Sequence, residues 1–535
     1  MNSFQKYQLD YTENAMPKQT HLPFDYGLMI GENEPVRLLD LVLEEVDFNK
    51  VQGLYSSKGR KPSVPPKILC KLMIFAMMEG VYSTRAIHRQ CQVNLQYKWL
   101  LDGYSVPSHM AFQRLFTRLT LPVIEDLFVQ VIDKIEQRDS INFKEAFIDG
   151  TKLEANANRY TFVWRKSVEK HMAKLPAKLD TLKADIQRQL GEDMSCFNDE
   201  MVYQELEKRI KNEKVTFVHG KGKRKTVLQR LFERADNLLS KRLEYERHLE
   251  TMGTRNSYSK IDHDATFMRM KDDHMKNGQL KAGYNIQVAA HSEYILGLGI
   301  YPNPTDTLTL IPFLKDLERI HSRKFEYIVA DAGYDSEENY TWLAANNYKS
   351  CIKPQNYERS KTRKWQNAIG RAENMEFDPE VDIFTCAAKR ALPFSHISRR
   401  KTQTGFVKES RIYQCENCSG CQLRLECQPP YKGLEPKSNK RVSIPVHYNT
   451  LQQKNKEIFL SPLGTQLRVN RSIQVEGVFG ILKQDYDYRR LRHRGAEKVH
   501  KEMYLVAIGF NLQKLHNRNM ANRLQQRLFS LKDNA

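Results

Sequence analysis

Apolar positions along the chain change their period several times, and each change marks a different kind of structure. From Pro66 to about Lys134 they recur at helical spacing: Ile68, Leu72, Ile74, Phe75 and Met78, then Ile87 and Cys91, then Phe112, Leu115, Phe116 and Leu119. Gly80, Asp102-Gly103 and Pro107-Ser108 supply turn chemistry between them, so the pattern predicts a bundle of short helices. The preceding stretch is polar, and Pro17, Pro23 and Pro35 predict extended chain there with no long helix. At Phe143–Asp149 the period shortens to that of a buried strand, which ends on a carboxylate followed by Gly150. Tyr160 to Thr251 is helical again and densely charged, with a basic, glycine-containing link at His219–Arg224. Such helices predict an antiparallel insertion or coiled-coil-like arm whose charges are mostly solvated.

Gly283–Ala290 and Ile295–Tyr301 read as strands flanking the short turn His291–Tyr294, a hairpin. A helix follows over Thr307–Ile320, then a buried strand Tyr327–Ala330 ending on Asp331, a helix from Ser336 to about Asn346 and a strand at Ser350–Lys353. This alternation predicts an α/β layer with a mixed sheet. Pro354 to about Pro445 has weak periodicity and five of the nine cysteines, and reads as an inserted module. The helical period returns from Gln466 onward.

Composition narrows the class. A chain of 535 residues exceeds one core, and 40% hydrophobic with 28% charged residues argues against wholesale disorder. No apolar run approaches the roughly 18 residues of a membrane span, and Lys71 breaks the best one, Val64–Met78. Met1–Lys18 has no apolar signal segment, so a cytoplasmic, membrane-free protein with reduced thiols is expected. A net charge of +20 points to polyanionic partners.

Candidate chemistry lies at three acids. Asp149 and Asp331 each end an apolar run before small residues, where open α/β sheets bind ligands. Glu476 lies in a helical pattern with Arg471 and Lys483 on either side. Crowded carboxylates need a cation among them, and oxygen-only donors suit Mg²⁺ (or Mn²⁺). Two such ions can hold both the attacking and leaving oxygens of a phosphodiester. Taken singly, each acid also reads as a turn or cap residue.

The cysteines Cys415-x2-Cys418-x2-Cys421-x5-Cys427, with Cys386 upstream as an alternative ligand, favour structural Zn²⁺. An iron–sulfur cluster and unmetallated thiols are the rivals. Cys70, Cys91, Cys196 and Cys351 read as buried hydrophobes. Arg489, Arg490, Arg492 and Arg494, interleaved with tyrosines after Glu476, suit phosphate contacts. Trp164 suits base stacking or plain packing.

Nearly the whole chain resembles the DDE transposases of bacterial insertion sequences, in a branch with a cysteine cluster between the second Asp and the final Glu. The resemblance is carried by Ser83–Ile87, Trp99-Leu100 and Pro107–Phe112, by FIDGTKLEANANRY (Phe147–Tyr160), by Gly283–Ala290, by IVADAGYDSEENY (Ile328–Tyr340) and most strongly by Arg471–Gly495. It implies Asp149, Asp331 and Glu476 as the catalytic, metal-binding triad. It also implies an α/β fold: an RNase H-like mixed-sheet core with an N-terminal helical domain, a helical insertion and a Cys-rich insertion. The expected boundaries are 1–135 for the helical, DNA-binding domain; 136–160, 281–355 and 446–535 for the core; 161–280 and 356–445 for the insertions. The activity implied is cleavage and transfer of 3′-hydroxyl ends with two Mg²⁺ ions, on double-stranded DNA, by a homodimer. A stand-alone nuclease and a silent DNA-binding derivative remain the alternatives.

In related families an arginine stands four residues before the glutamate and a lysine seven after. Lys483 fits the lysine, a phosphate contact, but the arginine position holds Ser472, leaving Arg471 or Arg468 for that role. Asp335 rivals Asp331, though its place before Ser336 reads as a helix cap.

Overall fold

The computed structural model describes residues 25–56, 58, 62–220, 224–270, 278–430, 434, 436 and 438–529. Pro17, Pro23 and residues 221–223 of the basic link lie outside them. The chain divides into two units: Met1–Ile135 with Leu505–Arg523, and Glu136–Tyr504 with Leu524–Ala535. The expected core span 446–535 is therefore split, because Leu505–Arg523 groups with the N-terminal residues.

The first unit is helical. Its central helix, Pro66–Met78, is buried at almost every position. That includes Lys71, whose ammonium is neutralised by Asp40 and Glu44. Gly509 packs so close to this helix that a Cβ there would stand 2.8 Å from the Met78 nitrogen. Pro35 does not prevent a helix; it opens one, Pro35–Glu44. The first helical position needs no N–H, and the ring already holds the helical φ.

The second unit is built on a mixed sheet. Its strands are β1 (Glu145–Glu154), β4 (Thr266–Arg269), β5 (Leu280–His291), β6 (Tyr294–Tyr301), β7 (Tyr327–Ala330) and β8 (Lys349–Ile352); β2 (Phe162–Trp164) and β3 (Ser257–Ser259) pair separately. The order is β6-β5-β1-β7-β8, with β4 also on β5. β1, β7 and β8 run parallel; β5 is antiparallel to β1 and β6. The hairpin β5–β6 turns on Ser292 and Glu293 at φ +51° and +68°, the left-handed pair that a two-residue turn matching strand twist requires.

Between β2 and β3 lie four helices, Arg165–Met172, Leu175–Leu190, Asp199–Asn212 and Val227–Met252. They have a core of their own, including Leu182, Ile186, Val202, Leu206 and Leu231. Cys196 is exposed in a turn of this insertion, not buried as expected. After β8, an antiparallel sheet runs β13-β12-β11-β10-β9, comprising β9 (Glu376–Asp378), β10 (Ile383–Thr385), β11 (Ala391–Lys401), β12 (Val407–Gln414) and β13 (Arg441–Ile444). β11 is exposed on both faces over most of its length, so the alternation that reveals a half-buried strand is absent from its sequence.

Candidate active site

The sheet register makes Asp149 and Asp331 neighbours. β1 pairs in parallel with β7 as far as Ile148 opposite Ala330, and the next residue on each strand is the aspartate. β1 itself does not stop at Asp149 as expected. It continues to Glu154 because β5 stays paired with it, Asp149 opposite Val288 and Glu154 opposite Gly283. Asp149 thus lies mid-strand, at the point where its parallel partner ends. Asp331 caps a short 3₁₀ turn, accepting the Gly333 N–H at 2.8 Å.

A fourth carboxylate joins them. Asp306 follows the Pro-rich turn after β6, and its Oδ1 accepts from Asn285 Nδ2 at 2.7 Å and Gln287 Nε2 at 2.9 Å, both on β5. It packs against the backbone between the other two acids. A Cβ on Gly150 would lie 2.6 Å from Asp306 Oδ1 and 2.3 Å from Gln287 Nε2, and one on Gly333 would lie 3.4 Å from Asp306 Oδ2. The buried phenol of Tyr334 donates to Gln287. Its own ionisation is pushed far up, first by burial and then by Asp306, Asp149 and Asp331, against the pull of Arg471. These charges surround one side chain. Nothing in the sequence singled out Asp306 except its position after a strand and before a helix.

Glu476 arrives on a helical run with an irregular period: Pro462–Arg471, a π turn Ser472–Glu476, Gly477–Gly480 and a second π turn Ile481–Asp485. Residues five apart in an α-helix stand about 140° apart around the axis. A π turn closes i to i+5 and brings such a pair toward one face. Arg471 and Glu476 are five apart across the first π turn, and the guanidinium reaches both acids. Its Nη1 is 3.2 Å from Asp149 Oδ2 and its Nη2 is 3.6 Å from Glu476 Oε1. Arg471, one residue earlier than the family spacing, thus reaches Glu476 across the π turn.

The other candidates are distributed as follows. A cleft of about 450 Å³ beside Asp331 is lined also by Arg471, Arg468 and Lys353. Arg468 is stacked 4.2 Å over the Phe459 ring and bonded to Thr465. Lys483 is half-buried in the second π turn. Arg489 to Arg494 run beside the far end of β1, where Leu491 N–H donates to Glu154 O at 2.9 Å. Arg490 and Arg494 hold the carbonyls of Ala157 and Asn156, and Arg489 that of Lys483. Arg492 is exposed. Trp164 packs 6.0 Å from both Phe162 and Phe267. Asp335 is not the N-cap of the helix that follows: Ser336 caps Glu337–Ala345. Asp335 instead accepts from Gln355 N at 2.6 Å and Tyr448 OH at 2.9 Å, pinning neighbouring elements.

Two family models match the chain. One, described as "Transposase DDE domain", matches residues 385–516. The other, "Transposase domain (DUF772)", matches residues 25–118. Both are transposase domains, and together they support a DDE-type transposase of an insertion sequence. No curated protein and no solved structure matches it. The first match spans Glu476 and the five cysteines of the Cys-rich stretch, while Asp149, Asp306 and Asp331 lie outside both.

The donors at this transposase's acidic site are all carboxylate oxygens, the type that suits hard divalent cations. As the side chains stand, no three His, Cys, Asp or Glu groups among the described residues converge within coordinating reach. The Arg471 guanidinium supplies positive charge between Asp149 and Glu476 instead. By the chemistry of its donors, carboxylates alone, the site nevertheless suits such ions.

Proposed function

We propose that this transposase binds the terminal inverted repeats of its element, hydrolyses a phosphodiester and transfers the freed 3′-hydroxyl into target DNA. The observation that carries the reading is one guanidinium shared by Asp149 and Glu476, acids 327 residues apart in sequence, with Asp331 beside the first of them. The strand order β6-β5-β1-β7-β8 fits an RNase H-like core, with 161–280 and 356–445 as insertions.

Asp149, Asp331 and Glu476 would hold two Mg²⁺ or Mn²⁺ ions, which supply activation of the attacking oxygen and stabilisation of the leaving one. Arg471 neutralises the acids in the absence of DNA and turns to a backbone phosphate when the strand enters. Arg468, in the cleft beside Asp331, and Lys483 line the path of that strand. Arg489, Arg490, Arg492 and Arg494 track the phosphates beyond β1, supplying affinity without sequence information. Trp164 serves packing in this reading, since two aromatic rings already lie against it. The helical unit, residues 1–135, contacts the repeat DNA, and a homodimer joins two element ends to one target. Among the described residues no helix is long and apolar enough to cross a membrane.

The test uses element-end DNA with Mg²⁺. Asp149→Asn and Glu476→Gln should each abolish nicking and strand transfer while retaining DNA binding. Cleavage retained by either variant removes that residue from the reaction. Cutting by the wild type without joining would make the chain a nuclease.

A further inference from the structure

Five thiols of the Cys-rich module line one small cavity: Cys386, Cys415, Cys418, Cys421 and Cys427. The sheet gathers them. Cys386 sits in the tight turn between β10 and β11, closed by Lys389 N–H to Cys386 O at 2.8 Å. Cys415 directly follows β12, which pairs with β11, and Cys418 and Cys421 lie in the turn beyond it. Cys427 ends the short helix Arg424–Cys427. The cavity holds about 20 Å³, the room that roughly one water-sized sphere needs. A single ion fits that space.

We propose that this cavity is a structural zinc site whose ligands are Cys386, Cys418, Cys421 and Cys427, with Cys415 a packing residue outside the set. The proposal rests on the thiols alone and is independent of the reaction above. Lys440 donates its backbone N–H to Cys418 Sγ at 3.2 Å, a bond that favours the thiolate as acceptor. Cys415 has other work. It is the most enclosed of the five, 2% exposed, and gives its S–H to Asn417 O at 3.4 Å.

The sulfurs surround the cavity without yet converging on one point. An ion with Zn–S distances of about 2.3 Å would draw the two turns and the helix end inward. The module has reason to need one. Its own apolar cluster is seven residues and β11 lies open on both faces, so metal binding would supply folding free energy that its core does not.

The full-length chain, purified without chelator, should contain about one zinc per molecule by plasma mass spectrometry. After replacement by Co²⁺ it should show intense thiolate-to-cobalt charge transfer and the visible bands of a tetrahedral site. Cys427→Ser and Cys386→Ser should each lower the zinc content about fivefold or more, while Cys415→Ser keeps it. Less than about 0.2 zinc per wild-type chain, iron in its place, or zinc lost from Cys415→Ser yet kept by Cys386→Ser overturns the proposal. If a variant is insoluble, the wild-type cobalt spectrum decides: weak octahedral absorption overturns the site.

Discussion

Replacing Arg471 by Met removes the cation between Asp149 and Glu476 and keeps an apolar stem of similar length. The Arg471 side chain is 16% exposed and that of Asp149 10%, so their contact belongs to the buried regime. There, stripping one partner from an ion pair costs about 3–5 kcal/mol, because the other charge stays buried and uncompensated. Glu476, 63% exposed, rehydrates at little cost. The penalty is therefore that of Asp149, with Asp306 and Asp331 close by, and the lower end of the range, about 3 kcal/mol, is the appropriate figure for metal-free buffer. For a unit of this size the entropy of unfolding is roughly 0.8 kcal/mol per degree, so the midpoint should fall by about 4 °C. A divalent cation bound by the same acids replaces the missing positive charge. Millimolar Mg²⁺ should therefore raise the midpoint of Arg471→Met more than that of the wild type, recovering about half of the loss. Thermal melts of both proteins in EDTA and in MgCl₂ measure this directly. An unchanged midpoint in EDTA would refute the pairing with Asp149. An equal deficit in EDTA and Mg²⁺ would refute the exchange of arginine for metal.

Three further outcomes follow from the same geometry. Gly150→Ala places a methyl 2.3 Å from Gln287 Nε2 and 2.6 Å from Asp306 Oδ1. It should cost about 1–3 kcal/mol by overpacking and displace the acids, cutting cleavage roughly 10²-fold; an unchanged melt and rate would mean that the strand has room to spare. Asp306→Asn keeps the shape of the side chain, so stability should fall by less than about 2 kcal/mol while cleavage falls roughly 10²-fold, and wild-type cleavage would separate Asp306 from the chemistry. Burial pushes the thiols of Cys70, Cys91 and Cys351 up to about 12. Native protein treated with iodoacetamide at about pH 8 should therefore be labelled at exposed Cys196 and not at these three, and peptide mass spectrometry showing the reverse would contradict their burial.

The parts of this transposase that were legible in its sequence are those in which burial imposes a period. Tyr327–Ala330 is buried from Ile328 onward and reads as a strand with its observed bounds, and the helix Leu310–His321 shows its apolar face at regular spacing. Alternation weakens wherever a strand has no buried face, and β11 shows none for that reason. Polar partners are harder still to find. Asp306 belongs with Asp149 and Asp331 only through the side chains of Asn285 and Gln287, which project from β5, and no local pattern encodes a contact of that range.

The arginine offset has a different origin. Counting residues assumes a constant rise and rotation, and by that count Arg471 is one place too early to share a face with Glu476. The π turn Ser472–Glu476 accommodates the extra residue, and the contacts to Asp149 and Glu476 are made from the shifted position. Such turns give up regular helical bonding and tend to occur where a side chain must be aimed. Here the deviation falls at the one segment that carries both the final acid and its counter-charge. A signature written as fixed spacings presupposes a regular α-helix; here the guanidinium meets the carboxylate across a π turn.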